Sequence, residues 1–167
     1  MTDLNKFLAT VSTIESIVLV AAIVSGGYLW ARGIFPALLR LGNGLSRRNI
    51  ALFAKGDNAT SLKHLLTDSK LFRAKNITEI TGLNDIGRAE SASVYLVHWH
   101  DWANDIDAVL NQKPDGCVLV VYAPYNMGRI PDDQMRNLDG QRNTSVTNFR
   151  GRLLNDIVTS MITTGYK

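Results

Sequence analysis

The densest group of chemically capable side chains in this chain is His98-Trp99-His100-Asp101-Trp102. Imidazoles and a carboxylate can hydrogen-bond the edge of a base or a ribose, and an indole can stack on a base. The same five residues admit two other readings. His98 and His100 would share one side of an extended segment and reach a metal, but no third ligand stands near them. Alternatively, Trp102 packs into a core while Asp101 caps a helix.

Three further stretches have a similar character. Lys55-Gly-Asp-Asn-Ala-Thr-Ser61 reads as a small polar turn before a helix, where Lys55, Asn58 and backbone N–H groups can meet an anion. Ala123-Pro-Tyr-Asn-Met-Gly-Arg129 offers a ring at Tyr125, an amide at Asn126 and a guanidinium at Arg129. Asn148-Phe-Arg-Gly-Arg152 sets Arg150 and Arg152 at the start of a helix, where acidic residues are usual; the arginine fork and the helix dipole both favour an anion there. Cations, amides and rings together suit a nucleotide-like ligand. No nucleophile–base pair, carboxylate dyad, Walker A loop, GxGxxG fingerprint or Cys/His metal spacing accompanies them. The expectation is therefore a binding site with no catalytic residues, no cofactor and no metal.

The elements that must position these loops follow from the alternation of short β-branched runs with helical stretches after Arg48. Strands are expected over residues 49–54, 77–80, 93–98, 117–123 and 144–149. Helices are expected over 61–72, 85–90, 102–111, 132–138 and 152–163. The run Val118-Leu119-Val120-Val121 is continuously apolar, as a strand buried on both faces should be. Five β–α units in residues 48–167 predict a flavodoxin-like parallel sheet, with all four loops at the carboxyl ends of strands.

Ahead of this domain stands an apolar run over residues 7–31, following a short N-terminal tail at 1–6. It is long enough to cross a bilayer, which needs about 20 helical residues. Tyr28 and Trp30 would form an interfacial belt, and the retained basic flank Arg32, Arg40, Arg47 and Arg48 argues for an anchor over a cleaved signal. By the positive-inside rule this predicts a single-pass inner (plasma) membrane protein, N-terminus outside and C-terminal domain cytoplasmic. Residues 32–47, interrupted by Pro36, form the juxtamembrane linker.

Glu15 lies inside the run, where a carboxylate either snorkels to the interface or lines a helix interface or pore. Ala21 with Ser25 and Ala22 with Gly26 are small pairs that let membrane helices approach closely, so homo-oligomers are expected.

Composition narrows the remaining classes. With 46% hydrophobic residues the chain can fill a core, which excludes general disorder. The net charge of +3 is gathered largely beside the apolar run, which suits contact with membrane lipid better than stable binding of a nucleic-acid duplex. The single Cys117 precludes an internal disulfide and predicts a partly buried thiol in a reducing compartment.

One anchor followed by a five-unit α/β domain resembles, in layout, the TIR-like and receiver-like domains over residues 48–167. It also resembles prokaryotic antiphage membrane effectors, in which a cytoplasmic domain binds a nucleotide second messenger and transmembrane helices disrupt the membrane. The TIR resemblance implies a helical glutamate beside the ligand; here the helical glutamate, Glu90, precedes the third strand. The receiver resemblance implies acidic residues at Asp57 and Asp101 and a lysine after the fifth strand, where this chain has Asn148-Phe-Arg. The effector resemblance implies an oligomeric sensor of a nucleotide-like messenger that gates or disrupts the membrane. The alternatives are a TIR-like enzyme acting on a nucleotide or NAD, and a scaffold for a protein partner.

Overall fold

The computed structural model describes residues 18–30, 32–33 and 48–164. The chain divides into two units, residues 1–42 and 43–167. In the first unit, residues 18–30 are helical. The helix is apolar around its circumference: Val18, Leu19, Ile23, Val24, Leu29 and Trp30 are all exposed. Ser25 and Gly26 lie on it, and a Cβ added at Gly26 would meet nothing within 4 Å. Among the described residues no helix is long and apolar enough to cross a membrane. The span expected from the sequence begins at residue 7, and its first part, including Glu15, lies outside the described residues, as does most of the juxtamembrane stretch.

The second unit is built on five strands: β1 Ile50–Phe53, β2 Ile77–Ile80, β3 Val94–His98, β4 Val118–Tyr122 and β5 Thr144–Thr147. All neighbouring pairs are parallel, in the order β2-β1-β3-β4-β5. This is the order of a doubly wound, flavodoxin-type sheet, and it reverses direction between β1 and β3. β1, β3 and β4 are buried throughout, because helices cover both of their faces.

The helices are α1 Gly56–Asp68, α2 Trp99–Trp102, α3 Ile106–Gln112, α4 Asp132–Asp139 and α5 Arg150–Thr163. On one face of the sheet Leu62 and Leu66 of α1 and Leu153, Ile157 and Met161 of α5 pack with Leu52, Leu96 and Val120. On the other, Ile106 and Val109 of α3, Leu138 of α4 and Ala89 of the 3-10 segment Leu83–Ala89 pack with Phe53, Tyr95 and Val121.

Several element boundaries differ from those the sequence suggests, and three of the differences move a functional side chain. α1 starts at Gly56 instead of residue 61: Gly56 takes φ +53°, a left-handed turn that folds the chain into a helix at once. Asp57 and Asn58, which look like turn residues, thus become its first turn. α1 ends at Asp68, where the Ser69 hydroxyl donates to the Leu66 carbonyl at 2.6 Å and Lys70 adopts φ +58°. After β3 the chain coils immediately into α2, so His100 and Asp101 lie on a helical turn and not on a strand extension. α5 begins at Arg150, which puts both Arg150 and Arg152 in its first turn, where there is no acidic residue.

Candidate functional site

At the carboxyl end of the sheet one carboxylate ties together the two chain segments that flank the reversal of strand order. Asp101, in α2 after β3, accepts the backbone N–H of Lys55, just after β1, at 2.8 Å. It also accepts from Asn58 Nδ2 at 3.0 and 3.2 Å. Asp101 Oδ2 lies 3.1 Å from His98 Nδ1, although the ring N–H does not point squarely at it and makes no well-formed hydrogen bond. A bare ring lone pair facing a carboxylate would be repelled, so the proximity favours the neutral His98 tautomer with its hydrogen on Nδ1.

His98 is only 2% exposed. Burial pushes its pKa below the usual imidazole value; Asp101 opposes this and His100, with ring centroids 6.2 Å apart, adds to it. The ring is therefore neutral near pH 7, with Nε2 as a hydrogen-bond acceptor. Nε2 has no protein partner among the described residues. His98 shares the strand face of Val94 and Leu96, so it points toward the α1/α5 layer.

Between that layer and the strand ends lies an open cleft of about 250 Å³. Its polar lining comes from Asn58 and Ser61 of α1, His98 of β3, Tyr122 of β4, Asn126 and Arg150. Tyr122 meets His98 edge-on, with ring centroids 5.9 Å apart. Arg150 reaches from the start of α5 to donate to the Ser61 carbonyl at 2.9 Å, so α1 and α5 are joined beside the pocket. Both helices are long enough to carry a full dipole, and both begin at this end of the sheet.

Asn58, His98, Asn126 and Arg150 are thus brought together from four separate strand-end stretches. The other residues singled out in the sequence stand apart. Trp99 is 2% exposed and packs with Phe53 and Trp102 in the core on the opposite face. Lys55 directs its ammonium to the Trp102 ring, 5.1 Å from the centroid, and to Asp105 at 3.8 Å. Tyr125 is 80% exposed, and Arg129 pairs in solvent with Asp132 at 3.1 Å. Arg152 is exposed and is not part of the pocket lining. Among the described residues no three His, Cys, Asp or Glu side chains are grouped to hold a metal ion.

Two polar pocket residues, Ser61 and Tyr122, are additions to the set read from sequence, as are the apolar Leu62, Pro124 and Met127. Tyr122 could have been found by alternation: it is two residues on from Val120, whose side chain faces the same layer. Glu90 is exposed and precedes β3, so it lies toward the amino end of that strand, whereas the pocket is at the carboxyl ends.

Fold and pocket together define a doubly wound α/β domain with a polar, cation-bearing cleft at the strand ends. Compared with known proteins, the chain matches no family model, no curated protein and no solved structure.

Proposed function

We propose that this protein is a membrane-anchored, self-associating effector whose α/β domain senses a nucleotide-like messenger and, on binding it, gates or disrupts the membrane, as in antiphage defence. One observation carries the sensing half: Arg150 lines the pocket from the first turn of α5, a position where a cation opposes the helix dipole unless an anion joins it. A phosphate would meet a guanidinium fork, helix N–H groups and the amides of Asn58 and Asn126. The anchoring half rests on the helix at 18–30, whose apolar side chains are exposed all round. Ser25 and Gly26 supply the small surface for helix association and Glu15 the candidate pathway residue.

Ligand binding moves such a helix only if the two arrangements bind the ligand with different affinity. The full chain reconstituted in liposomes tests this. Nucleoside mono- and diphosphates and cyclic nucleotides are added and ion leakage is recorded. Leakage that rises with one nucleotide, falls in Arg150→Ala and changes in Glu15→Gln supports the reading. Leakage indifferent to every nucleotide sinks it.

A second reading, an enzyme acting on a nucleotide or NAD in the same pocket, is favoured by the buried His98 beside Asp101, an arrangement suited to a general base. Chromatography of nucleotides incubated with the protein separates the two: an enzyme yields product that Asp101→Asn diminishes, whereas a sensor returns its ligand unchanged.

A further inference from the structure

One side chain lining the cleft is both titratable and almost wholly buried. His98 is 2% exposed, and its Nδ1 lies 3.1 Å from the Asp101 carboxylate without a well-formed hydrogen bond. A chain of contacts connects it with the cation of the site. Arg150 donates to the Ser61 carbonyl, and Ser61 stands three residues from Asn58 on the same face of α1. Asn58 in turn donates to Asp101, which lies beside His98.

The charges around the imidazole decide what a bound anion does to it. A charge on a buried ring is poorly solvated, so it depends on its neighbours. Burial lowers the His98 pKa; Asp101 works against this, and His100 of α2 adds to it. Tyr122 of β4 and Arg150 of α5 line the cleft with the ring, while α1 and the segment after β4 contribute no charged side chain to the lining. Lys55 turns its ammonium elsewhere, to Asp105 and the Trp102 ring. Asp101 already shares its oxygens with the Lys55 N–H and Asn58 Nδ2, which weakens its hold on a charged ring. With no anion bound, the Arg150 guanidinium disfavours a second cation in the cleft. An anion on Arg150 reverses that balance. In a cleft of about 250 Å³ it stays within about a Debye length of the ring, about 8 Å at physiological salt, so dissolved ions do not screen the interaction away.

We propose that anion binding in this cleft is coupled to proton uptake at His98, so that acidification tightens the site and a bound anion holds the imidazole in its charged form. The proton comes from solvent and goes to Nε2, since Nδ1 faces Asp101. This rests on the anion-binding part of the sensing reading and adds a regulator to it. The sign follows from linkage: the anion raises the pKa of a ring that is neutral without it, so affinity climbs as pH falls and levels off on the alkaline side.

Sulfate is a suitable probe because it is a dianion throughout the range used. The full chain in detergent is titrated with sodium sulfate at pH 8, 7, 6 and 5 and fixed ionic strength, and the histidine ring protons are followed by NMR. Affinity should be about tenfold tighter at pH 5 than at pH 8. In the wild type, saturating sulfate should move the titration of the His98 ring to higher pH and leave that of the exposed His64 in place, a readout that needs no variant. His98→Gln should bind sulfate equally at the two extremes, and His100→Gln should keep the dependence. A pH-independent affinity, an unmoved His98 titration, or a dependence that survives in His98→Gln overturns the inference while leaving the anion site intact. Absence of sulfate binding at every pH overturns the anion site and the inference together.

Discussion

The carboxylate of Asp101 has a measurable structural role that its surroundings allow to be separated into hydrogen bonding and charge. It accepts from the Lys55 N–H at 2.8 Å and from Asn58 Nδ2 at 3.0 Å, and it sits within 3.1 Å of His98 Nδ1. Truncation to alanine strands both donors and leaves the β1–α1 and β3–α2 junctions unconnected. A hydrogen bond to a charged acceptor is worth about 1.5–3 kcal/mol, and the partly solvated Lys55 N–H places these two at the low end, so Asp101→Ala should cost about 3 kcal/mol.

Asp101→Asn should behave differently. An asparagine carbonyl at the Oδ2 position keeps the Lys55 N–H, and Asn58 can rotate its amide to turn its own carbonyl toward the new NH2 group. The asparagine variant therefore loses only the charge assistance, about 1 kcal/mol. Urea unfolding of the full chain in detergent, followed by tryptophan fluorescence, reports on this site, because Trp99 and Trp102 lie in the same helical turn and are buried. The midpoint should shift with an unchanged slope. An alanine variant within about 1 kcal/mol of wild type, or an asparagine variant as damaged as the alanine one, would refute the account.

Four other perturbations have defined outcomes. Phe53→Ala, which removes a fully buried ring packed at 5.2 Å on Trp102 and 5.0 Å on Tyr95, should cost about 3–5 kcal/mol in the same unfolding assay. Gly128→Ala should cost about 1–3 kcal/mol, because φ is +105° there, and a thermal shift no larger than that of a surface control would contradict it. Because burial lowers the His98 pKa, its unfolded form takes up a proton first; stability should fall as pH drops below 6.5, and His98→Gln should flatten that part of the profile. Burial likewise pushes Cys117 from 9.0 up to about 12 and Tyr95 from 10.0 up to about 12, so their contribution is complete below pH 9 and should be lost between about pH 9 and 12; the native thiol should resist a disulfide reagent at pH 8 until urea unfolds the chain.

The parallel sheet was legible in the sequence because its central strands are short, almost wholly apolar runs with no competing period. β2 was read residue for residue, and β4 to within one residue at each end. Helix starts were harder to read. Gly56-Asp57-Asn58 has the chemistry of a turn, yet the left-handed glycine makes the turn in a single residue and leaves the polar side chains on a helix. That shift carries Asn58 to Asp101.

The site was legible where residue type was unusual for its position, as with Arg150 at a helix start. It was misleading where side-chain type was considered without direction. His98 ends β3 and Trp99 opens α2, and their side chains part: His98 lines the pocket and Trp99 joins the core on the other face. Fusion of the α2 turn directly to β3 is not encoded by any local signal in His98-Trp99-His100-Asp101-Trp102, since the aromatics favour a strand as readily as a helix.

This division between faces constrains how a ligand can enter. On one side of the strand ends Trp99 and Trp102 are closed over by α3 and α4 residues, and Lys55 is held there by the Trp102 ring and Asp105. On the other side His98 and Tyr122 line the pocket together with Asn58 and Ser61 of α1, Arg150 at the start of α5, and Pro124, Asn126 and Met127 after β4, and the Arg150–Ser61 hydrogen bond links the two helices. A ligand of the kind proposed would meet His98 on the α1/α5 face, where Arg150 also lines the pocket. A guanidinium has five N–H donors, and the Ser61 carbonyl engages one of its nitrogens, so a phosphate can bind Arg150 without breaking the link. Binding would then add anion contacts to a contact that already joins the two helices, and should tighten α1 against α5 instead of prying them apart.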